Sequence, residues 1–308
     1  NFSGNYENEG NVGTSTRERT AVNFDGKIDI AAEAKVKTER FYTETLGWNN
    51  EIWDFSKVST GGLPKLKNSD VNDNLSAEDI HYIETADEFI TKITENPYGK
   101  FVLNNDIDLS SKNSLINVEF RGILDGNNHK IIGNIVSIFN NINKAIISNL
   151  VIENSVIKNS ADNVGVLSKT MYNSTIENVH VTGAAINGAN KIGGLAGYAE
   201  SSKIKQSSSN ASILANGSNA GGLIGQIIKS TIIENSYSSG KVKGNENVGG
   251  LVGNVTSSTI KYSYSSSSVN GTNGVAGFVG QSAGNSNIEN NIALGNQMKQ
   301  YKFDGRTE

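Results

Sequence analysis

The sequence predicts an all-β chain: a parallel, right-handed β-helix, or solenoid, of rungs about 28 residues long with three short strands each, and a short capping helix. Three observations predict it. Apolar beats at Phe139, Leu167, Leu195, Leu223, Leu251 and Phe278 recur at steps of 28, 28, 28, 28 and 27 residues, most within glycine words such as Ile192-Gly-Gly-Leu-Ala-Gly and Val248-Gly-Gly-Leu-Val-Gly. A second anchor follows each beat, at Ile147, Ile176, Ile204, Ile233, Ile260 and Ile288. The residue after that anchor reads Ser148, Glu177, Lys205, Glu234, Lys261 and Glu289, so the charge alternates from Glu177 onward. One strand triplet cannot bury its apolar face alone, whereas stacked triplets share a continuous core.

The rung is read as follows. Strand-like text surrounds each second anchor, as in Ser174-Thr-Ile-Glu-Asn-Val-His-Val, and a third segment such as Ala184-Ala-Ile or Gly240-Lys-Val completes the turn. Gly, Asn and Ser separate these segments, and helical periodicity is absent from the repeats. In a parallel stack with rungs about 4.8 Å apart, the alternating charges become cross-strand neighbours of opposite sign, which stabilise the register.

Composition narrows the function classes. The 308 residues carry a net charge of −4 with no basic block, which argues against a nucleic-acid partner. Cysteine is absent, so disulfides, thiol chemistry and Cys-based metal sites are excluded. No run of about 18 apolar residues is present to span a membrane. The chain begins with Asn and shows no leader, and it is expected to be a piece of a larger protein.

Three regions are expected: 1–67, the end of an earlier stack with its cap; 68–84, a linker; and 85–308, a second stack with a capping helix. Ser3 to Gly13 aligns without a gap on Ser239 to Gly249, so the chain is expected to open inside a rung. Val22 to Ala34 reads as a strand region. Phe41 to Phe55 carries Trp48 and Trp53 and is expected to cover the open end of that earlier stack, with a carbohydrate-stacking role for the two indoles as the alternative. Gly61 to Lys67 closes this part. Thr85-Ala-Asp-Glu88 is a capping box, and Phe89 with Ile93 marks one face of a helix over about 86–95. Phe101, Leu103, Ile107 and Leu109 point one way along the next strand, with Asp106 and Asp108 on the other side. Asp125 to His129 reads as a turn.

Catalytic chemistry finds little support. His81, His129 and His180 are solitary, and none has the His-Glu-x-x-His spacing that places two imidazoles on one helix face for zinc. Gly280-Gln-Ser-Ala-Gly284 matches the nucleophile-elbow pattern around Ser282, but it precedes another strand rather than a helix. Asp106 and Asp108 lack further oxygen ligands for calcium. With Asp125 they form the only start of an acidic cluster that a carbohydrate-active β-helix enzyme would need. No catalytic, cofactor-binding or metal-ligating residue is therefore assigned.

The glycine words resemble the GLUG repeat, in Gly194-Leu-Ala-Gly, Gly222-Leu-Ile-Gly and Gly250-Leu-Val-Gly, while the first beat departs with Val166-Leu-Ser-Lys and the last has Phe278 for Leu. The entry segment, from Ile83-Glu-Thr-Ala-Asp-Glu-Phe-Ile90 through Tyr98-Gly-Lys-Phe-Val-Leu and Phe120-Arg-Gly-Ile-Leu-Asp-Gly to Ile147-Ser-Asn-Leu150, resembles the N-terminal region of streptococcal-type immunoglobulin A proteases, which are secreted zinc metallopeptidases. Phe41 to Lys67 resembles the piece that follows GLUG stacks in such surface proteins. The resemblance implies a secreted or Gram-positive wall-attached parent whose zinc lies in a separate peptidase domain, a partner on the same polypeptide. It implies for this piece a non-catalytic scaffold or substrate-recognition role, with host immunoglobulin A as the partner. The family's zinc motif matches no position here. The alternative is an adhesin or stalk that binds host glycans or proteins.

Overall fold

The computed structural model describes residues 18–22, 28–32, 38–56, 58–60, 64–66, 80–113, 116–158 and 161–294. The chain folds as a parallel β-solenoid. One sheet of seven parallel strands runs from Ile116–Phe120 to Val279–Ala283, and a second stacks in the order Ile80–Ile83, Lys100–Leu103, Ile123–Asp125, Ile146–Glu153, Thr175–Thr182, Lys203–Lys205, Ile232–Glu234, Thr259–Lys261 and Asn287–Glu289. Two narrower sheets close the turn.

The second anchors form one inward column. Ile147 pairs with Ile176, Ile176 with Ile204, Ile204 with Ile233, Ile233 with Ile260 and Ile260 with Ile288, which places identical side chains on top of one another. Phe101 and Leu124 extend the column toward the start of the stack. Ile157, Ile186, Ile213, Val242 and Val269 form another buried column. At the early end, Phe101, Phe120 and Phe139 make a ring stack, with centroids 6.2 and 5.0 Å apart.

Two expectations are refined. A full turn holds five short strands rather than three, for example Ala196–Glu200, Lys203–Lys205, Ser208–Ser209, Ser212–Ala215 and Ser218–Gly221. The extra strands are polar in sequence, so their apolar signal is weak. The first beat is also displaced. Phe139 pairs with Ser168, one position past Leu167, so the first turn has 29 residues and Ile138 occupies the beat position. Ile138 and Phe139 are both buried at that corner, which makes the apolar text ambiguous by one residue.

The motif glycines answer a steric demand. A Cβ on Gly222 would lie 2.1 Å from the Gly250 carbonyl oxygen of the next rung, and one on Gly225 would lie 2.5 Å from the Lys191 carbonyl carbon of the previous turn. The backbones pass too closely there for any side chain.

Inward hydroxyls satisfy backbone donors at the corners. The Ser207 hydroxyl donates to the Lys205 carbonyl and accepts from the Val179 amide, and Ser236 and Ser263 repeat this one rung apart. Buried peptide groups that leave the sheet ladders thus keep partners, as a solenoid of short strands requires.

The helix forms at Ala86–Glu95 as expected, with Phe89 and Ile93 buried on the end of the stack. The Thr85 side chain accepts from the Glu88 amide, while the Glu88 carboxylate takes the Glu84 amide in place of that of Thr85. The linker expected over 68–84 overlaps the stack: Ile80–Ile83 already pairs with Lys100–Leu103 as its first strand. Before the stack, Glu18–Val22 pairs antiparallel with Ile28–Ala32, so the strand region expected from Val22 is one arm of a hairpin. The rung expected at Ser3 to Gly13 lies outside the described residues.

Candidate functional site

The acidic residues flagged from sequence serve as turn anchors. Asp106 Oδ1 accepts from the Lys130 amide at 2.9 Å and lies 3.2 Å from His129 Nδ1. Asp108 Oδ1 accepts from the Ser110 amide at 2.8 Å, and hydrogen bonds from Ser110 hold its carboxyl below the usual range. Asp125 Oδ1 accepts from the Asn127 amide and from Asn149 Nδ2, closing the expected turn, in which Asn127 and Asn128 take positive φ. These carboxylates neither converge on one point nor leave oxygens aimed at a common ligand.

The histidines lie far apart. His81 sits at the end of the inward column, 5.5 Å from the Phe101 ring. His129 belongs to the Asp106 turn. His180 lies on the outer face, with Nε2 donating to Asn178 Oδ1 at 3.0 Å and Nδ1 accepting from the Ser208 hydroxyl at 2.8 Å. Burial pushes its pKa down to about 4, so the ring is neutral and serves as a structural bridge between rungs. Ser282 occupies the strand Val279–Ala283 opposite Val255, an inward position, and the next element is the strand Asn287–Glu289. A nucleophile elbow needs a strand-to-helix turn there.

Trp48 and Trp53 are buried, 2 % and 0 % exposed, which removes the carbohydrate-stacking alternative. Their place differs from the expected one on an earlier stack. They stack on each other at 4.6 Å and pack on Tyr264 and Tyr237, on the flank of this chain's own last rungs. Trp53 Nε1 donates to Asn235 Oδ1, Trp48 Nε1 to the Asn290 carbonyl, and the Tyr264 hydroxyl to the Pro64 carbonyl. Local sequence carries no signal for that choice, because the outer residues Tyr237, Tyr264 and Ile292 sit in ordinary strand text.

The charge column stands in the expected register: Ser148 pairs with Glu177, then Lys205, Glu234, Lys261 and Glu289. Lys261 Nζ lies 3.3 Å from Glu234, and Lys205 Nζ lies 4.0 Å from Glu177.

A half-buried polar cluster lies on and beside the seven-stranded sheet. The Tyr172 and Tyr198 rings are 5.9 Å apart, Lys191 Nζ lies 5.2 Å above the Tyr198 ring, and the Tyr198 hydroxyl donates to Glu200, which also pairs with Lys229 at 2.7 Å. Burial, with the Glu200 hydrogen bond, holds the Tyr198 phenol well above its usual range, and hydrogen bonds from Lys229 and Tyr198 hold Glu200 below its own. Such a surface can contact a partner, and it carries no acid–base pair poised for reaction. Among the described residues no three His, Cys, Asp or Glu side chains gather as a metal set. The donors present do not fit a catalytic zinc.

Residues 71–183 match the family model of the M26 IgA1-specific metallo-endopeptidase N-terminal region, and residues 216–243 and 244–270 match the GLUG motif. No curated protein matches the chain. Among solved structures, a provisionally named immunoglobulin A1 protease from Bacteroides ovatus is similar, with a TM-score of 0.60 and 21% identity over 75% of this chain and 83% of that one. A structure named IgA1 protease is similar with a TM-score of 0.56 and 18% identity, over 77% of this chain and 22% of that one. At those identities the two structures speak for the shared solenoid fold. By its family matches the chain is related, over residues 71–183, to the N-terminal region of the M26 IgA1-specific metallo-endopeptidases, and over 216–270 it is built of GLUG motifs.

Proposed function

We propose that this chain is a non-catalytic β-helical scaffold and substrate-recognition segment of a secreted or cell-surface zinc metallo-endopeptidase of the immunoglobulin A protease type. The match of residues 71–183 to the N-terminal region of that family carries the reading. Two further observations support it. Among the described residues no three His, Cys, Asp or Glu side chains gather as a ligand set, which is compatible with a zinc site in a separate peptidase domain. The solenoid itself is a stiff spacer, with seven stacked strands covering about 29 Å at about 4.8 Å per step. The Tyr172, Tyr198 and Lys191 surface is the favoured contact face, since aromatic and cationic side chains held by neighbours need little ordering on binding. Attachment to a Gram-positive wall and a role in virulence belong to the same proposal.

The test is biosensor binding of the chain to human immunoglobulin A, with immunoglobulin G as control and Tyr198→Ala as the contact variant. Selective binding weakened by the variant is the expected result. No binding of immunoglobulin A at tens of micromolar would refute the recognition role and leave the scaffold role alone.

A further inference from the structure

We infer that Asp125, Ser148 and Glu177 form a binding site for one divalent cation of the calcium class on the outer face of the second sheet. The three residues are register neighbours on successive strands, with Ser148 opposite Asp125 on one side and Glu177 on the other. Read from Asp125, the outward column runs Asp125, Ser148, Glu177, Lys205, Glu234, Lys261 and Glu289. Every second position carries a carboxylate, and the positions between carry lysine, except at Ser148. A neutral serine thus stands where the alternation calls for a positive charge. Asp125 is not a 28-residue step from Ser148, so only strand pairing reveals its place in the column.

A second observation points to a ligand in that gap. Ser148 is 0 % exposed although it faces outward, opposite to the inward Ile147, and its hydroxyl has no hydrogen-bond partner. A buried hydroxyl left unpaired is costly, and neither flanking carboxylate reaches it. Both carboxylates keep spare oxygens. Asp125 spends Oδ1 on the Asn127 amide and on Asn149 Nδ2, and no donor among the described residues reaches its Oδ2. Glu177 Oε2 lies 4.0 Å from Lys205 Nζ, too far for a hydrogen bond. The outward residues beside these three rungs, Ile123, Ile146 and Thr175, are uncharged. Lys130, beyond the corner, is paired with Glu153 at 3.0 Å.

The donor set consists of hard oxygens, and its two negative charges match one divalent ion. Calcium accepts irregular oxygen sets at about 2.3–2.6 Å and completes its shell with water, whereas magnesium demands a near-ideal octahedron and zinc favours nitrogen and sulfur. Asp125 and Glu177 are two steps apart, about 9.6 Å along the sheet. Oxygens on opposite sides of one calcium ion stand about 5 Å apart, so each carboxylate has to lean about 2 Å toward Ser148. Three protein ligands give a weak site, in the range of about 10⁻⁴–10⁻³ M found for extracellular calcium modules. Bound there, the ion ties three successive rungs together and completes the charge ladder at its early end.

The test is calorimetric titration of the chain with calcium chloride, together with urea unfolding in 10 mM calcium, in 10 mM magnesium and in chelator at matched ionic strength. One calcium site is expected, and a calcium concentration about tenfold above its dissociation constant is expected to lower the unfolding equilibrium constant about tenfold. Ser148→Lys supplies the missing positive charge in a column that already holds lysine at Lys205 and Lys261, and it is expected to fold and to lose calcium binding. Glu177→Gln is the second variant, expected to weaken calcium binding at least tenfold, and it decides the matter if Ser148→Lys does not fold by circular dichroism. Stability of the unaltered chain that is the same in calcium and in chelator would overturn the proposal and leave water as the partner of Ser148. Calcium binding that survives both folded variants would overturn it as well, because the ion would then lie elsewhere.

Discussion

Gly222 and Gly277 occupy the same position of the repeat, two turns apart, and the structure predicts opposite responses to alanine. At Gly222 a Cβ would lie 2.1 Å from the Gly250 oxygen and 2.8 Å from the Ser238 Cβ. That oxygen accepts from the Gly222 amide at 3.0 Å and from the Ser238 hydroxyl at 2.6 Å, so displacing it weakens two buried hydrogen bonds. Overpacking costs about 1–3 kcal/mol, and each weakened bond about 1 kcal/mol. Gly222→Ala is expected to destabilise by about 2–4 kcal/mol. At Gly277 the nearest neighbour of a Cβ among the described residues is the Ala293 Cβ at 3.4 Å, an ordinary contact. Neither glycine has a positive φ. Gly277→Ala is therefore expected to be neutral or to stabilise by up to about 1 kcal/mol through reduced freedom of the unfolded chain. Urea unfolding followed by far-ultraviolet circular dichroism reads both. Equal midpoint shifts for the two variants, or a neutral Gly222→Ala, would refute the claim that contact between successive rungs dictates these glycines.

Other consequences are open to measurement. Lys205→Glu places a third carboxylate between Glu177 and Glu234; because these side chains remain partly exposed, the loss is expected to be about 1 kcal/mol at low salt and to shrink in 1 M salt, and a salt-independent loss would argue against a Coulombic cause. Trp53→Ala removes a fully buried indole and the Asn235 contact, so the Trp48 emission is expected to move to the red while the far-ultraviolet spectrum of the stack persists; an unshifted emission would mean that the cap stays seated without it. The low pKa of His180 gives a sign for pH dependence. The unfolded imidazole takes a proton near pH 6.5 and the folded one only near 4, so the stability this residue contributes is present above pH 6.5 and falls between those values, by about 3 kcal/mol at most. Proton NMR is expected to show one of the three histidines untitrated above pH 5, and His180→Ser is expected to flatten the urea midpoint across that window.

The period, the inward isoleucine column, the alternating charges and the capping helix were legible in the residues alone. A solenoid stacks equivalent positions in register, so a repeat of 27–29 residues in the text becomes a column in space, and Glu177, Lys205 and Glu234 meet because each follows its anchor by one residue. The family resemblance was legible in the same way, in the entry segment and the glycine words. Tertiary structure decided the rest. Five strands form where three were expected, because Ser207, Ser236 and Ser263 turn corners by hydrogen bonds that carry no apolar signal. The first beat passes from Phe139 to Ile138 because two adjacent apolar residues fit one corner. The cap lies on the flank because Trp53 and Asn235, 182 residues apart, meet only after the rungs have stacked and aligned Tyr237 with Tyr264 into a surface no single rung possesses.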